Sequence, residues 1–589
     1  STPAIVGRPA DGYDAQYGDD SYSAFREKYR NRRNMVYVGA NDGMLHAFNA
    51  GFYVKNNDGT HQYSTTSPVG ESVRAHGLGA EMWAYVPYNL LPHLKWLTRN
   101  DYSHVYYMDS KIHTFDVNIF HGAGYSNDVY PNGWGTILVA GMRFGGGPYD
   151  LNLDGSPQTQ TLRSAYVIMD ITDPEQPPKL IAEITDAQLG YTVGDVELVK
   201  RRSSNNFGSY LGTLPQNDWY LVFGSGPRGP HAVTEAISDQ QAKLFYFDLK
   251  AAISGDLALT AVDVDADTQK SFVHAVKSVD WNRDYKDDML YVGVLGDHGR
   301  QVVPAPANPY HGALKQVEVQ ATGNLFDSGD VANLLTGTGT NLPFSGTPLT
   351  VRDRSGIFWV FANSGQFLVK QDLDIPVANK YFGIKVNAAA PNNFTWLTDE
   401  SVNIDSLYSV TNDTLLIGSG GGVKVRTASG LVEDLEDYTT GIAGKVPPYR
   451  GWYRDLEGNN ATSFTRTAFL NETVVFNSYS PAVSSCQQRG QSSIYLLDMF
   501  TGLPQYRRYA LFEKTDGPVT HRDGEENFKD VGAAAATLDG VASDPAIVNN
   551  HVITQTDAGE ISNIELDIPG TPARRAWREI PASEINITQ

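Results

Sequence analysis

Short runs of β-branched and aromatic residues that end at a glycine turn, each followed at once by a second run, recur along nearly the whole chain. The clearest is Val36-Tyr37-Val38-Gly39-Ala40-Asn41-Asp42-Gly43-Met44-Leu45-His46-Ala47-Phe48, in which two alternating strands flank Asn41-Asp42-Gly43. That turn chemistry supplies the positive φ a tight hairpin needs. Looser versions are Trp219 to Gly224 leading to Leu244 to Asp248, and then Leu290 to Gly293 and Phe358 to Gly365. Leu415 to Gly420, Ile494 to Asp498 and Val552 to Gly559 complete the series. A degenerate repeat of strand, glycine turn and strand is the pattern of blades around an axis, so the expected fold is all-β, a modified β-propeller. At roughly 15 residues per strand with its turn, about seven four-stranded blades would use roughly 420 residues, and six or eight remain open.

Helical patterning is sparse. Ser21 to Arg33 places Tyr22, Phe25 and Tyr29 on one face, and Asn89 to Leu97 is leucine-rich, so both read as short helical decorations. No low-complexity linker divides the chain. The expected organisation is a lead-in over 1–34 and a propeller domain over 35–589, with insertions at about 145–161, 323–343 and 516–530. A composition of 41% hydrophobic and 11% aromatic residues supplies ample material for a large core.

A formal net charge of -21 argues against nucleic acid and anionic lipid as partners, because both demand a basic surface, and makes cations the better fit. The single cysteine, Cys486, cannot form an internal disulfide. No apolar run is long enough to span a membrane, and Ser1-Thr2-Pro3-Ala4 has neither the basic nor the apolar region of a signal peptide. On those features alone the chain is expected to be cytosolic or trimmed of a leader.

The segment with most chemistry is Asp280-Trp281-Asn282-Arg283-Asp284-Tyr285-Lys286-Asp287-Asp288, directly before a strand-like run. Asp280, Asn282, Asp284 and Asp288 place side-chain oxygens at positions one, three, five and nine, and the Lys286 carbonyl adds position seven. Such spacing can turn five hard oxygens toward one point, as calcium loops do, and calcium tolerates the irregular geometry better than magnesium. The usual glycine at position six is Tyr285, and position twelve is Tyr291 instead of a bidentate Glu, so this is no helix-loop-helix hand. A solvated acidic turn is the alternative. A second candidate, Asp150, Asn152, Asp154 and Ser156, has glycine at its sixth position but lacks the later ligands, and an ordinary Asp-Gly turn competes with it. Gly145-Gly146-Gly147 and Gly420-Gly421-Gly422 lack the context of phosphate loops, and no HExxH, CxxCH or Gly-x-Ser-x-Gly motif occurs.

Arg33 to Phe48 resembles the opening blade of the C-terminal domain of the PilC/PilY family of type IV pilus tip proteins. The likeness continues through Leu138 to Arg143, Ala165 to Pro174, Leu189 to Thr192, Val222 to Gly226, the Asp280 loop, Gly451 to Tyr453 and Tyr495 to Asp498. The resemblance implies a modified, quinoprotein-like propeller with calcium held by Asp280, Asn282, Asp284, the Lys286 carbonyl and Asp288. It implies a non-enzymatic role at the pilus tip or outer surface of a Gram-negative bacterium, in pilus assembly, calcium-dependent extension and retraction, adhesion and twitching motility. The partners implied are pilus subunits such as minor pilins, with host or abiotic surfaces engaged through a further N-terminal region. The Arg-Gly-Asp tripeptide found in some members does not occur here. Two rival readings are a quinone-dependent dehydrogenase, whose vicinal disulfide one cysteine cannot supply, and a metal-free scaffold propeller.

Overall fold

The computed structural model describes residues 2–55, 61–68, 76–151, 160–201, 217–264, 270–296, 312–374, 377–386, 401–418, 423–435, 437–438, 449–482, 489–505, 528–531, 534–548 and 551–565. Among them are seven sheets of four or five strands, one of three and two of two, and the larger ones run almost wholly antiparallel. The chain folds into two compact units, the first built on Ser1–Leu290 and Val319–Gly329, the second on Tyr291–Glu318 and Asp330–Arg578. This is the all-β, propeller-type architecture that the repeat predicts, with few and short helices.

In the first unit the expected hairpin forms. Strand Asn34–Gly39 pairs with Leu45–Lys55, Gly39 faces Leu45, and Gly43 turns the chain at φ 98°. Alternation in Asn34–Gly39 buries every second residue, the period-two pattern of a strand with one face on the core. The next sheet runs Lys179–Ile184, Tyr166–Asp170, Trp134–Ala140 and Ile112–Asn118, and its inner strand Trp134–Ala140 is buried at every position. A third joins Val196–Arg201, Asp218–Gly224, Lys243–Asp248 and Thr260–Asp263, so the runs expected at Trp219 and Leu244 are partners.

The second unit repeats the form. Phe358–Asn363, Thr414–Gly418, Gln491–Asp498 and His551–Gln555 are each strands at the expected runs. Among the described residues two strand pairings break the antiparallel rule, Leu335–Thr336 lying parallel to Val402–Asn403 and Tyr408–Ser409 parallel to Gly451–Asp455. Of the candidate insertion 516–530, residues 516–527 lie outside the described residues, and Phe528–Val531 is a strand paired with Thr414–Gly418.

Several strands end in the same device. Asp170 Oδ1 accepts from the amide and hydroxyl of Thr172 at 3.0 and 2.6 Å. Asp248 Oδ1 accepts from Lys250 and Ala251 N at 2.7 and 3.3 Å, and Asp498 Oδ1 from Phe500 and Thr501 N at 3.1 and 3.0 Å. A short carboxylate turning back on the following amides satisfies donors that the sheet no longer pairs, and so stops the strand.

The helix expected near Ser21 spans Asp20–Lys28, capped by Asp19, and its Tyr22 and Phe25 are fully buried beside Trp134 and Trp219. Tyr88–Thr98, in the leucine-rich segment, is a 3-10 helix whose first amides donate to Glu183. Among the described residues no helix is long and apolar enough to cross a membrane.

Candidate functional site

The Asp280–Asp288 loop leaves strand Ser271–Val279 and enters Met289–Gly296. It is stitched by its own carboxylates. Asp280 accepts from Asp284 N at 3.2 Å through Oδ1 and from Tyr285 N at 2.9 Å through Oδ2. Asn282 Oδ1 accepts from Asp284 N at 2.9 Å, and Asp284 Oδ1 from Lys286 N at 3.1 Å. Asp288 closes the ring, its Oδ2 accepting from Trp281 N and Asn282 N at 2.7 and 3.3 Å and its Oδ1 from Asn282 Nδ2 at 3.2 Å. Four expected ligand residues, Asp280, Asn282, Asp284 and Asp288, thus meet in one hydrogen-bonded loop. Lys286 enters it also by its ammonium, 2.9 Å from Asp284 Oδ2.

Two of these carboxyls are held above the ordinary carboxylate range. Burial pushes Asp280 up to about 6, with Asp287 adding repulsion and Lys200 and a hydrogen bond from Tyr17 opposing it. Burial likewise pushes Asp288 up to about 7, with Asp280 as the next cause and the amides of Trp281 and Asn282 opposing. The donor set is all oxygen, the ligand type that hard cations such as calcium take. Among the described residues no three His, Cys, Asp or Glu side chains are gathered in the manner of a metal-binding cluster. In this structure the loop oxygens face the loop's own amides.

Several residues that hold the loop carry no local signal in the sequence. Asp287 is buried and binds Lys200 twice, accepting from Lys200 N at 2.6 Å and from its ammonium at 3.0 Å. Asn217 Nδ2 donates to the Tyr285 carbonyl at 2.9 Å. The Tyr285 hydroxyl donates to Asp19 Oδ2 at 2.9 Å across 266 residues of sequence. Tyr17 stacks on Tyr285 at 4.2 Å. One signal was available for Tyr285, namely a bulky residue where a loop of this spacing normally has glycine.

Of the second candidate, Asp150 lies in strand Tyr149–Leu151 and its Oδ1 accepts from the Thr161 hydroxyl at 2.6 Å. Asn152, Asp154 and Ser156 lie outside the described residues, as does Cys486.

No family model matches the chain. It is similar to a type IV pilus biogenesis factor PilY1 homolog of Xylella fastidiosa, 24% identical over 579 residues, which covers 96% of this chain and 36% of that protein. It is also similar to the type IV pilus biogenesis factor PilY1 of Pseudomonas aeruginosa, 26% identical over 241 residues, 38% of this chain and 14% of that protein. The chain therefore spans about a third of the first relative's length. Among solved structures, the Pseudomonas aeruginosa PilY1 C-terminal domain superposes with a TM-score of 0.56 at 16% identity, covering 96% of this chain and all of that one. That likeness fixes the fold, in agreement with the repeat, and the resemblance noted in the sequence is borne out by the relatives.

Proposed function

We propose that this chain, whose homologues are PilY1 and PilY1 homologs, is a calcium-binding propeller portion of a type IV pilus biogenesis factor. It acts at the pilus tip or outer cell surface without catalysing a reaction, supports pilus assembly, and contributes to adhesion and twitching motility. Its partners are pilus subunits such as minor pilins, and host or abiotic surfaces are met through other parts of the full protein. The alignment along 96% of the chain supports the pilus role.

The observation that carries the metal reading is that the half-buried Asp280 and Asp288 are knit with Asn282 and Asp284 into one all-oxygen loop, where both carboxyls are held above the ordinary carboxylate range. Asp280, Asn282, Asp284, the Lys286 carbonyl and Asp288 would hold the ion, whose chemistry there is neutralisation of clustered negative charge. Loop occupancy then biases pilus extension against retraction, because binding to the folded state alone adds stability to the bound surface.

Titration calorimetry of the full chain tests this. Calcium is expected to bind and to raise the melting temperature, with about 2.7 kcal/mol of stabilisation at a hundredfold excess over Kd. Asp288→Ala is expected to abolish the binding heat while the fold persists. A wild-type chain that takes up no calcium, or an Asp288→Ala chain that binds it unchanged, would remove the metal from the mechanism.

A further inference from the structure

Tyr285 holds the sixth position of the loop at φ 74°, in the left-handed region that bulky side chains avoid. A residue stays there only when its surroundings over-determine it. Those surroundings come from the far end of the sequence. The Tyr285 ring lies 4.2 Å from Tyr17 with 13° between planes and 5.6 Å from Tyr13. Its hydroxyl donates to Asp19 Oδ2 at 2.9 Å, while Oδ1 of the same carboxylate caps helix Asp20–Lys28 through Ser21 N and Tyr22 N at 2.9 and 3.1 Å. The Tyr17 hydroxyl lies beside Asp280, the first residue of the loop, and favours its charged form. Ser21, in the capped turn, accepts from Trp134 Nε1 at 2.9 Å, which ties the same segment to the core of the first unit.

The loop and the helical segment therefore share atoms. One carboxylate serves both the helix cap and the loop tyrosine, and one tyrosine ring covers the loop beside its leading acid. We infer that Tyr17, Asp19 and Tyr285 are positioning residues that couple the cation loop to the segment Tyr13–Lys28, so that cation affinity depends on that segment being docked and cation binding tightens it in turn. The metal half of this inference rests on the reading under Proposed function. Coupling of this kind is reciprocal, since two events that each favour one arrangement must favour one another by the same factor.

The test uses the full chain, calcium calorimetry and hydrogen exchange. In the wild type, calcium is expected to slow exchange across residues 13–28 as well as across 280–288. Tyr17→Ala, which removes the ring stack on Tyr285 and the hydroxyl beside Asp280, is expected to weaken calcium binding about tenfold, within the usual span of coupled sites. It is also expected to quicken exchange of 280–288 in calcium-free buffer. Tyr285→Phe deletes one oxygen and keeps the ring, so it remains informative if Tyr17→Ala does not fold, and it is expected to quicken exchange of 20–28. Calcium affinity unchanged in both variants, with exchange over 13–28 indifferent to calcium, would overturn the coupling. A wild type that binds no calcium would defeat the metal reading alone. The coupling would then stand or fall on whether Tyr17→Ala loosens 280–288 and Tyr285→Phe loosens 20–28 without metal.

Discussion

Asp19 is the residue whose removal should be felt furthest. Its carboxylate is buried and accepts four hydrogen bonds, from Ser21 N at 2.9 Å, Ser21 Oγ at 2.5 Å, Tyr22 N at 3.1 Å and Tyr285 OH at 2.9 Å. Asp19→Ala loses an N-cap, which costs about 1 kcal/mol. It also leaves the Tyr285 and Ser21 hydroxyls as buried donors without these acceptors, at about 1–3 kcal/mol each. The sum is about 3–7 kcal/mol, concentrated on helix Asp20–Lys28 and not spread over the chain. A chain of two compact units does not guarantee a single unfolding transition, so the suitable assay is local: native-state hydrogen exchange of the amides in 22–28. At tenfold per 1.4 kcal/mol, their opening should become more frequent by at least about a hundredfold. Asp19→Asn keeps one carbonyl oxygen for the cap and should lose clearly less. A rise below about tenfold in Asp19→Ala, which is under 1.4 kcal/mol, would refute the claim that this carboxylate holds the segment.

Two further outcomes test other parts of the structure. His46 is bonded on both ring nitrogens, to Glu81 at 2.6 Å and Asp42 at 2.9 Å; burial alone would lower its pKa, but the two carboxylates outweigh it and raise it. Its folded pKa therefore lies above its unfolded value, so its stabilisation is fully present below about pH 6.5 and fades as pH rises through the folded pKa. His46→Ala should lower the melting temperature more at pH 5.5 than at pH 9, and an imidazole that titrates at or below the ordinary value by NMR would contradict this. A Cβ on Gly145 would sit 2.0 Å from the Tyr107 carbonyl oxygen, whereas one on Gly77 would meet nothing within 4 Å. Gly145→Ala should thus destabilise by about 2 kcal/mol or more and Gly77→Ala by little, read as melting temperatures, and equal melting points would contradict the close approach.

What the sequence revealed about the fold was whatever a local pattern can encode. Gly43 in its turn, the strands at Phe358 and Ile494, and the buried face of Tyr22 and Phe25 all follow from spacings of two or of three and four residues. The loop from Asp280 to Asp288 was likewise legible, because its oxygens sit at fixed offsets in one short stretch. Its supports were not. Asp19 meets Tyr285 across 266 residues and Lys200 meets Asp287 across 87, and contacts that far apart leave no period for either partner to display. The parallel pairing of Tyr408 with Trp452 was equally hidden, since the short polar run Tyr408–Ser409 gains its place from the neighbouring strand and not from its own pattern.

The aspartates that close strands at Asp170, Asp248 and Asp498 bear on how such a chain can change over evolutionary time. Each strand carries its own full stop, so the connecting segment beyond it need not set the register of the strand it leaves. Doubling the length of a connecting segment then costs only about 0.6 kcal/mol of closure entropy. Architecture punctuated in this manner can acquire, lose or exchange the passages between its sheets, and with them new surfaces for recognition, while the sheets themselves stay as they are.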